Sequence, residues 1–271
     1  MKQQKIRFNG LKSIGWIALV VIVVLYELLS TSIATLLYAA FDYFFGLPIS
    51  INIIGSIMSI FCSALIAGIF YAWYYIVVPR PQVKGISLQP SRKWLFVVIL
   101  IGLGKVMFVL SRAILWNGFE TSQSENINVL SILRAIVFAP IGEEFACRGV
   151  LLHYAKRMTS KFKCRRFAFY LANLTQAFIF AWIHFDDDVN LMLWKMVGAL
   201  FAGYLVSRYH SLIPAIIAHA IHNLMCYVAI WCTPLISGFS DMVFEITSVI
   251  AVLMMLTGFV LSKPEKTRKT V

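Results

Sequence analysis

The chain has 271 residues, 60% of them hydrophobic and 13% charged, with a mean hydropathy of +0.81. That composition excludes an ordinary soluble domain, in which about a quarter of the residues are charged. The net charge of +12 raises the prospect of a nucleic-acid partner, but the basic residues collect between apolar runs, which argues against one.

Eight apolar segments approach the ~20 residues needed to cross a bilayer, near 15–40, 51–78, 94–116, 129–154, 168–185, 190–207, 211–232 and 243–262. The expected fold is an all-α, polytopic transmembrane helical bundle forming a single integral-membrane domain over residues 1–271. Lys2, Lys5, Arg7 and Lys12 precede the first segment, which is too long for a cleaved signal peptide and lacks a small-x-small site. Arg80, Lys84, Arg92 and Lys93 lie between the second and third segments. Lys156, Arg157, Lys161, Lys163, Arg165 and Arg166 lie between the fourth and fifth, Arg208 between the sixth and seventh, and Lys263, Lys266, Arg268 and Lys269 in the tail. The alternate loops carry acids instead: Asp42, Glu120, Glu125, Asp186 to Asp188 and Asp241. By the positive-inside rule both termini are cytoplasmic and the number of spans is even. The basic loops would also attract anionic lipid headgroups.

Several further features have bland structural readings. Cys62, Cys147, Cys164, Cys226 and Cys232 are odd in number and form no CxxC pair, so neither a disulfide nor a metal framework is expected. Gly198, Ala199, Ala202 and Gly203 give the sixth segment a small-residue face for close helix packing. Lys105, Arg112, Arg134 and Lys195 lie in or near spans, and snorkelling accounts for those near span ends. Arg134 has Glu27 of the first segment as a candidate partner. No internal repeat is visible, which disfavours a transporter built from duplicated halves.

The fourth segment contains Glu143-Glu144-Phe145-Ala146-Cys147-Arg148 between apolar walls. A charge near the bilayer centre costs about 2.5–3.5 kcal/mol on insertion scales, so such groups normally face a bundle interior and mark a working site. Glu144 and Arg148 are four apart and share a face, where they can pair. Glu143 is rotated by about 100° from Glu144 and does not share that partner equally. The fifth segment carries Phe180 and His184; the seventh carries His219, His222 and Asn223, with His219 and Asn223 one turn apart. Converging, these groups would hydrolyse an amide: a carboxylate and a His activate water, and a second His and an Asn stabilise the oxyanion. A structural ion pair for the two glutamates, a helix-capping role for His184 and a packing role for His222 remain open. A proton-coupled transporter using these groups as a relay is a further reading.

The ordered set Glu-Glu-x-x-x-Arg, Phe-x-x-x-His and His-x-x-x-Asn resembles the CAAX-protease and bacteriocin-processing family of intramembrane proteases, which includes the Rce1-type prenyl-protein endopeptidases. The likeness covers a motif-bearing core of about 129–232. It implies Glu143 as catalytic base, His184 as its partner on the water, and His219 and Asn223 at the oxyanion. Glu144 and Arg148 would be supporting residues. No cofactor is required on this reading; the alternative is zinc held by Glu143, His184 and His219, a set of two His and one carboxylate with an open position. The expected substrate is a peptide or membrane protein in contact with the lipid bilayer of a bacterial cytoplasmic membrane. A non-catalytic immunity or regulatory scaffold of the same fold is the alternative function. One mismatch stands out. At about 1.5 Å per residue, Glu143 and His219 would lie ~12–17 Å from the cytoplasmic ends of their spans and His184 ~25 Å. The site then closes only if the fifth helix starts late, tilts, or enters through a re-entrant stretch near Tyr170 to Asn173.

Overall fold

The computed structural model describes residues 36, 39–40, 42–44, 51–77, 92–117, 129–184, 189–236 and 241–262. Every regular element among them is helical. In chain order these are α1 (Ile51–Val77), α2 (Arg92–Asn117), a long composite helix α3 (129–159), α4 (Arg165–Trp182), α5 (Val189–Tyr209), α6 (Ile213–Ile236) and α7 (Asp241–Leu261). Most of the first apolar segment lies outside the described residues, as do Glu27 and therefore its pairing with Arg134.

Among the described residues, two helices are long and apolar enough to cross a membrane, within Ile53–Tyr75 and Asp241–Leu261; Leu95–Phe108 and Ile213–Val228 are shorter apolar stretches. The outward faces carry apolar rows at helical spacing. On α1 these are Ile53, Ile57, Phe61, Leu65 and Ile69, and on α7 Met242, Ile246, Val249, Leu253, Leu256 and Val260. Rows of this length left uncovered exceed the apolar patches that soluble monomers expose. The inward face of α7 is Phe244, Ser248, Ala251, Met255 and Gly258. It packs on α2, where a side chain at Gly104 would come within 2.8 Å of the Ala251 carbonyl.

The composite helix α3 alternates between two registers. An α turn Val129–Leu133 leads into a π segment Arg134–Phe138, then an α turn Ala139–Glu144, a second π segment Phe145–Leu151 and a final α stretch Leu152–Thr159. Pro140 accounts for the first change, because it has no N–H and its ring crowds the preceding turn. The Ala139 N–H reaches back five residues to the Arg134 carbonyl. In that register the next carbonyl, Ala135, would take its hydrogen from residue 140, which has none to give. Asn223 Nδ2 on α6 donates to the Ala135 carbonyl at 2.7 Å instead. The second π segment holds Gly149, where a Cβ would meet Tyr74 Cδ2 of α1 at 2.9 Å. Phe70, Tyr74, Phe145, Val150, Leu151 and Phe180 form the core beside it.

Ala199 and Gly203 of the small face of α5 pack on α4, whereas Gly198 faces Lys105 of α2. Asn173 Nδ2 donates to the Leu200 carbonyl at 2.9 Å, and Gln176 Nε2 donates to the Ala199 carbonyl at 3.0 Å. Gln176 Nε2 also donates to Asn173 Oδ1 at 2.9 Å. A Cβ at Gly203 would overlap that Asn173 oxygen. The two amides thus join to each other and, through the Leu200 and Ala199 carbonyls, clamp the helix pair.

Neither a late start nor a re-entrant stretch is present in the fifth helix: α4 runs unbroken over Arg165–Trp182. The mismatch in depth disappears for another reason. Helix α3 continues to Thr159, past the basic residues Lys156 and Arg157, with Leu152, Tyr154, Ala155 and Thr159 buried along one side. From Thr159 back to Glu143, and from Arg165 forward to His184, the two helices run comparable lengths of ~24 and ~28 Å. The α3–α4 hairpin therefore brings the two residues level.

Candidate active site

Glu143 and Glu144 end the short α turn between the two π segments. Glu144 is buried: its Oε1 lies 3.1 Å from Arg148 Nη1, an ion pair within α3, and accepts from His219 Nδ1 of α6 at 2.9 Å. Arg148 is equally enclosed, its guanidinium 4.2 Å above the Phe180 ring. One carboxylate oxygen and one aromatic face thus hold a guanidinium and an imidazole from two helices. Buried charges survive only when paired in this way.

Glu143 faces the other side and is one-third exposed. Its Oε2 lies 3.8 Å from His184 Nε2 and 3.7 Å from His219 Nε2. Those separations are too long for direct hydrogen bonds and wide enough for a bridging solvent molecule. Glu143 Oε2 has no hydrogen-bond partner among the described residues.

The ring hydrogens follow from the outer partners. His184 Nδ1 lies 2.7 Å from the Phe180 carbonyl, which only accepts, so Nδ1 carries the hydrogen. His219 Nδ1 donates to Glu144 in the same way. In the neutral rings both Nε2 atoms present lone pairs to Glu143 Oε2. A water that donates one hydrogen to the carboxylate and one to an imidazole is thereby poised to lose a proton. Phe180 orders this arrangement. Its ring centroid is 4.6 Å from His184 and 6.2 Å from His219, and it is four residues before the His it supports.

Asn223 lines the same cavity, of about 390 Å³, as Glu143, His184 and His219. One of its two amide hydrogens is committed to the Ala135 carbonyl. His222 also lines the cavity, with Nε2 3.9 Å from Cys226 Sγ. Every residue singled out from the sequence for chemistry therefore borders one hollow.

Two contributors were missed in the sequence. Phe180 was noted only as the first position of its motif; its signal was the four-residue spacing to His184. Lys105 was grouped with cations that snorkel, yet it borders the cavity. Its mid-segment position was the available clue. Among the described residues, no group of three or more His, Cys, Asp or Glu meets the geometry of a metal site. The lone pairs of Glu143, His184 and His219 do converge, and both rings have the outer hydrogen-bond partners that metal-bound imidazoles use.

Residues 125–225 match a protein-family model, Type II CAAX prenyl endopeptidase Rce1-like. The matched stretch contains all the cavity residues named in this subsection except Lys105 and Cys226. Neither a curated protein nor a solved structure matches the chain.

Proposed function

From the Rce1-like segment 125–225, whose family is one of integral-membrane proteases, we propose that this chain is a multi-pass intramembrane endopeptidase. It hydrolyses a peptide bond of a peptide or membrane-protein substrate. The single observation that carries this reading is the Glu143 carboxylate facing two imidazole nitrogens at 3.7 and 3.8 Å within a cavity.

In the proposed reaction Glu143, assisted by His184, takes a proton from water as its oxygen attacks the scissile carbonyl carbon. The carbonyl π electrons move to oxygen. His219 Nε2 and the second Asn223 amide hydrogen then donate to that oxyanion. Because His219 Nδ1 is committed to Glu144, Nε2 donates only when the ring holds both protons. The proton abstracted from water therefore has a second destination 3.7 Å beyond Glu143. Collapse of the tetrahedral intermediate breaks the C–N bond, and the proton passes back from His219 through Glu143 to the leaving amine. Glu144 and Arg148 act through His219 and Phe180 and are positioning residues.

This is the glutamate mechanism, with no metal; the alternative places zinc on Glu143, His184 and His219. The proposed topology is eight spans with both termini on the cytoplasmic side of a bacterial membrane. Glu143→Gln should lower turnover by at least ~10²-fold, the scale of lost general-base catalysis. Mass spectrometry of membrane peptides from cells with the intact protein and with the variant would measure it. Full processing by a stably inserted Glu143→Gln protein would refute the endopeptidase; a phenotype kept without processing would point to an immunity or regulatory scaffold. Activity that survives exhaustive chelation and is not raised by added zinc would separate the glutamate from the zinc mechanism.

A further inference from the structure

A second hollow, of about 170 Å³, lies where the last stretch of α3 meets the junction of α5 and α6. Arg148, His153 and Lys156 border it from α3, Ser207 from α5, and His210 and Ser211 from the α5–α6 turn. Among the described residues that line it, none is a carboxylate. Residues 145–185 and 189–240, which supply every lining residue except Tyr74, contain no Asp or Glu at all. Arg148 also borders the first cavity, where Glu144 offsets its charge. Lys156 is half-buried and has no such partner among the described residues. Its Nζ donates to Ser207 Oγ at 2.8 Å and lies 5.5 Å from the centre of the Phe169 ring. An ammonium has three hydrogens, and Ser207 takes one.

The hydroxyls add donors. Ser207 accepts from Lys156, and Ser211 accepts from the Ile213 N–H at 3.3 Å, so each keeps its own hydrogen to give. Helix α6 begins at Ile213, and its N-terminal end adds the positive pole of the helix dipole. His210 is held at φ 50, in the left-handed region that glycine favours. The hollow is smaller than the ~300–1,000 Å³ of ordinary ligand pockets, so it suits one anionic group and not a length of chain. Donors from α3, α5 and the start of α6 approach from several directions, which matches a tetrahedral oxyanion better than a flat carboxylate. We infer that this hollow binds a phosphate group, with Lys156, Ser207, His210 and Ser211 as its donors. The phosphate comes either from a lipid headgroup or from free phosphate, since Lys161, Lys163, Arg165 and Arg166 place this end of the bundle on the proposed cytoplasmic surface. The site stands apart from the endopeptidase reading.

The test uses the full-length protein in an uncharged detergent free of phospholipid. Calorimetric titration compares three probes at matched ionic strength: inorganic phosphate, dihexanoylphosphatidylglycerol and the phosphate-free dihexanoylglycerol. Lys156→Gln should weaken phosphate binding at least about tenfold, the scale of a hydrogen bond to a charged group. Lys156→Arg should largely keep it. Ser207→Asp puts a carboxylate beside Lys156 and should exclude phosphate while leaving the unfolding midpoint no lower. His210→Gly keeps the left-handed turn, removes the imidazole and should weaken binding without loss of stability. Lys161→Gln, on the exposed turn outside the hollow, should change nothing. Binding of the phospholipid without inorganic phosphate assigns the headgroup as the source, and the opposite result assigns the free ion. If neither phosphate probe binds better than dihexanoylglycerol, the site is overturned. It is equally overturned if binding survives both Lys156→Gln and Ser207→Asp, or falls as much with Lys161→Gln, which would mark diffuse surface charge.

Discussion

Glu143 and Glu144 are neighbours with opposite surroundings, and the roles proposed for them rest on that difference. Glu144 is enclosed, and its Oε1 is shared by Arg148 and His219. Glu143 opens into the cavity toward two Nε2 atoms. Removing Glu144 strands the Arg148 charge, so Glu144→Ala should destabilise the protein by about 3–5 kcal/mol, the usual cost of breaking a buried pair. Thermal unfolding in detergent would read this as a lowered midpoint. The double replacement Glu144→Leu with Arg148→Met removes both charges and should recover most of the loss. Its activity should nevertheless stay low, because His219 Nδ1 no longer has the acceptor that fixes its ring. A double variant with normal turnover would show that Glu144 serves folding alone.

At the scale of helices, the site depends on a change of winding in α3. Pro140 leaves the Ala135 carbonyl without a backbone donor, and Asn223 supplies one from α6. Pro140→Ala restores an N–H that can take that carbonyl or rewind the turn into α register. A proline inside a helix costs about 3 kcal/mol, so the variant should be at least as stable as the parent. Turnover should fall, because rewinding shifts Glu143 against His184 and His219. Unfolding midpoint and activity on one sample would show the split; unchanged activity would dissociate the π turn from the site. The residues with a regular signature were legible in the sequence: Glu144 with Arg148, and His219 with Asn223, follow the one-turn spacing of a helix. The π register was not legible, because Pro140 marks a disturbance without saying how the backbone absorbs it. Nor was the inward aim of Lys105. Its helix is apolar on all sides apart from a few cations, so no amphipathic face says which way it points. The depth of His184 is not legible because Lys156 and Arg157 have the composition of a loop, whereas half of the helical stretch Leu152–Thr159 that carries them is buried.

On the scale of the whole chain, the long apolar rows of α1 and α7 face outward, and the polar groups converge inward on one hollow. That is the inverse of a soluble enzyme, and it is what lipid as a solvent demands. The orientation across the membrane then follows from charge. The turn between α3 and α4 holds Lys161 and Lys163, followed by Arg165 and Arg166 at the start of α4, and in the proposed topology the positive-inside rule assigns it to the cytoplasmic side. Cys164 sits in that turn and is exposed, whereas Cys147 is buried and Cys62 and Cys226 are half-buried. Accessibility governs thiol labelling, which makes Cys164 a native reporter of topology. A membrane-impermeant maleimide should label the protein in inside-out vesicles and leave sealed right-side-out cells unlabelled at this site, and Cys164→Ser should remove that signal. Labelling of Cys164 from outside intact cells would invert the orientation.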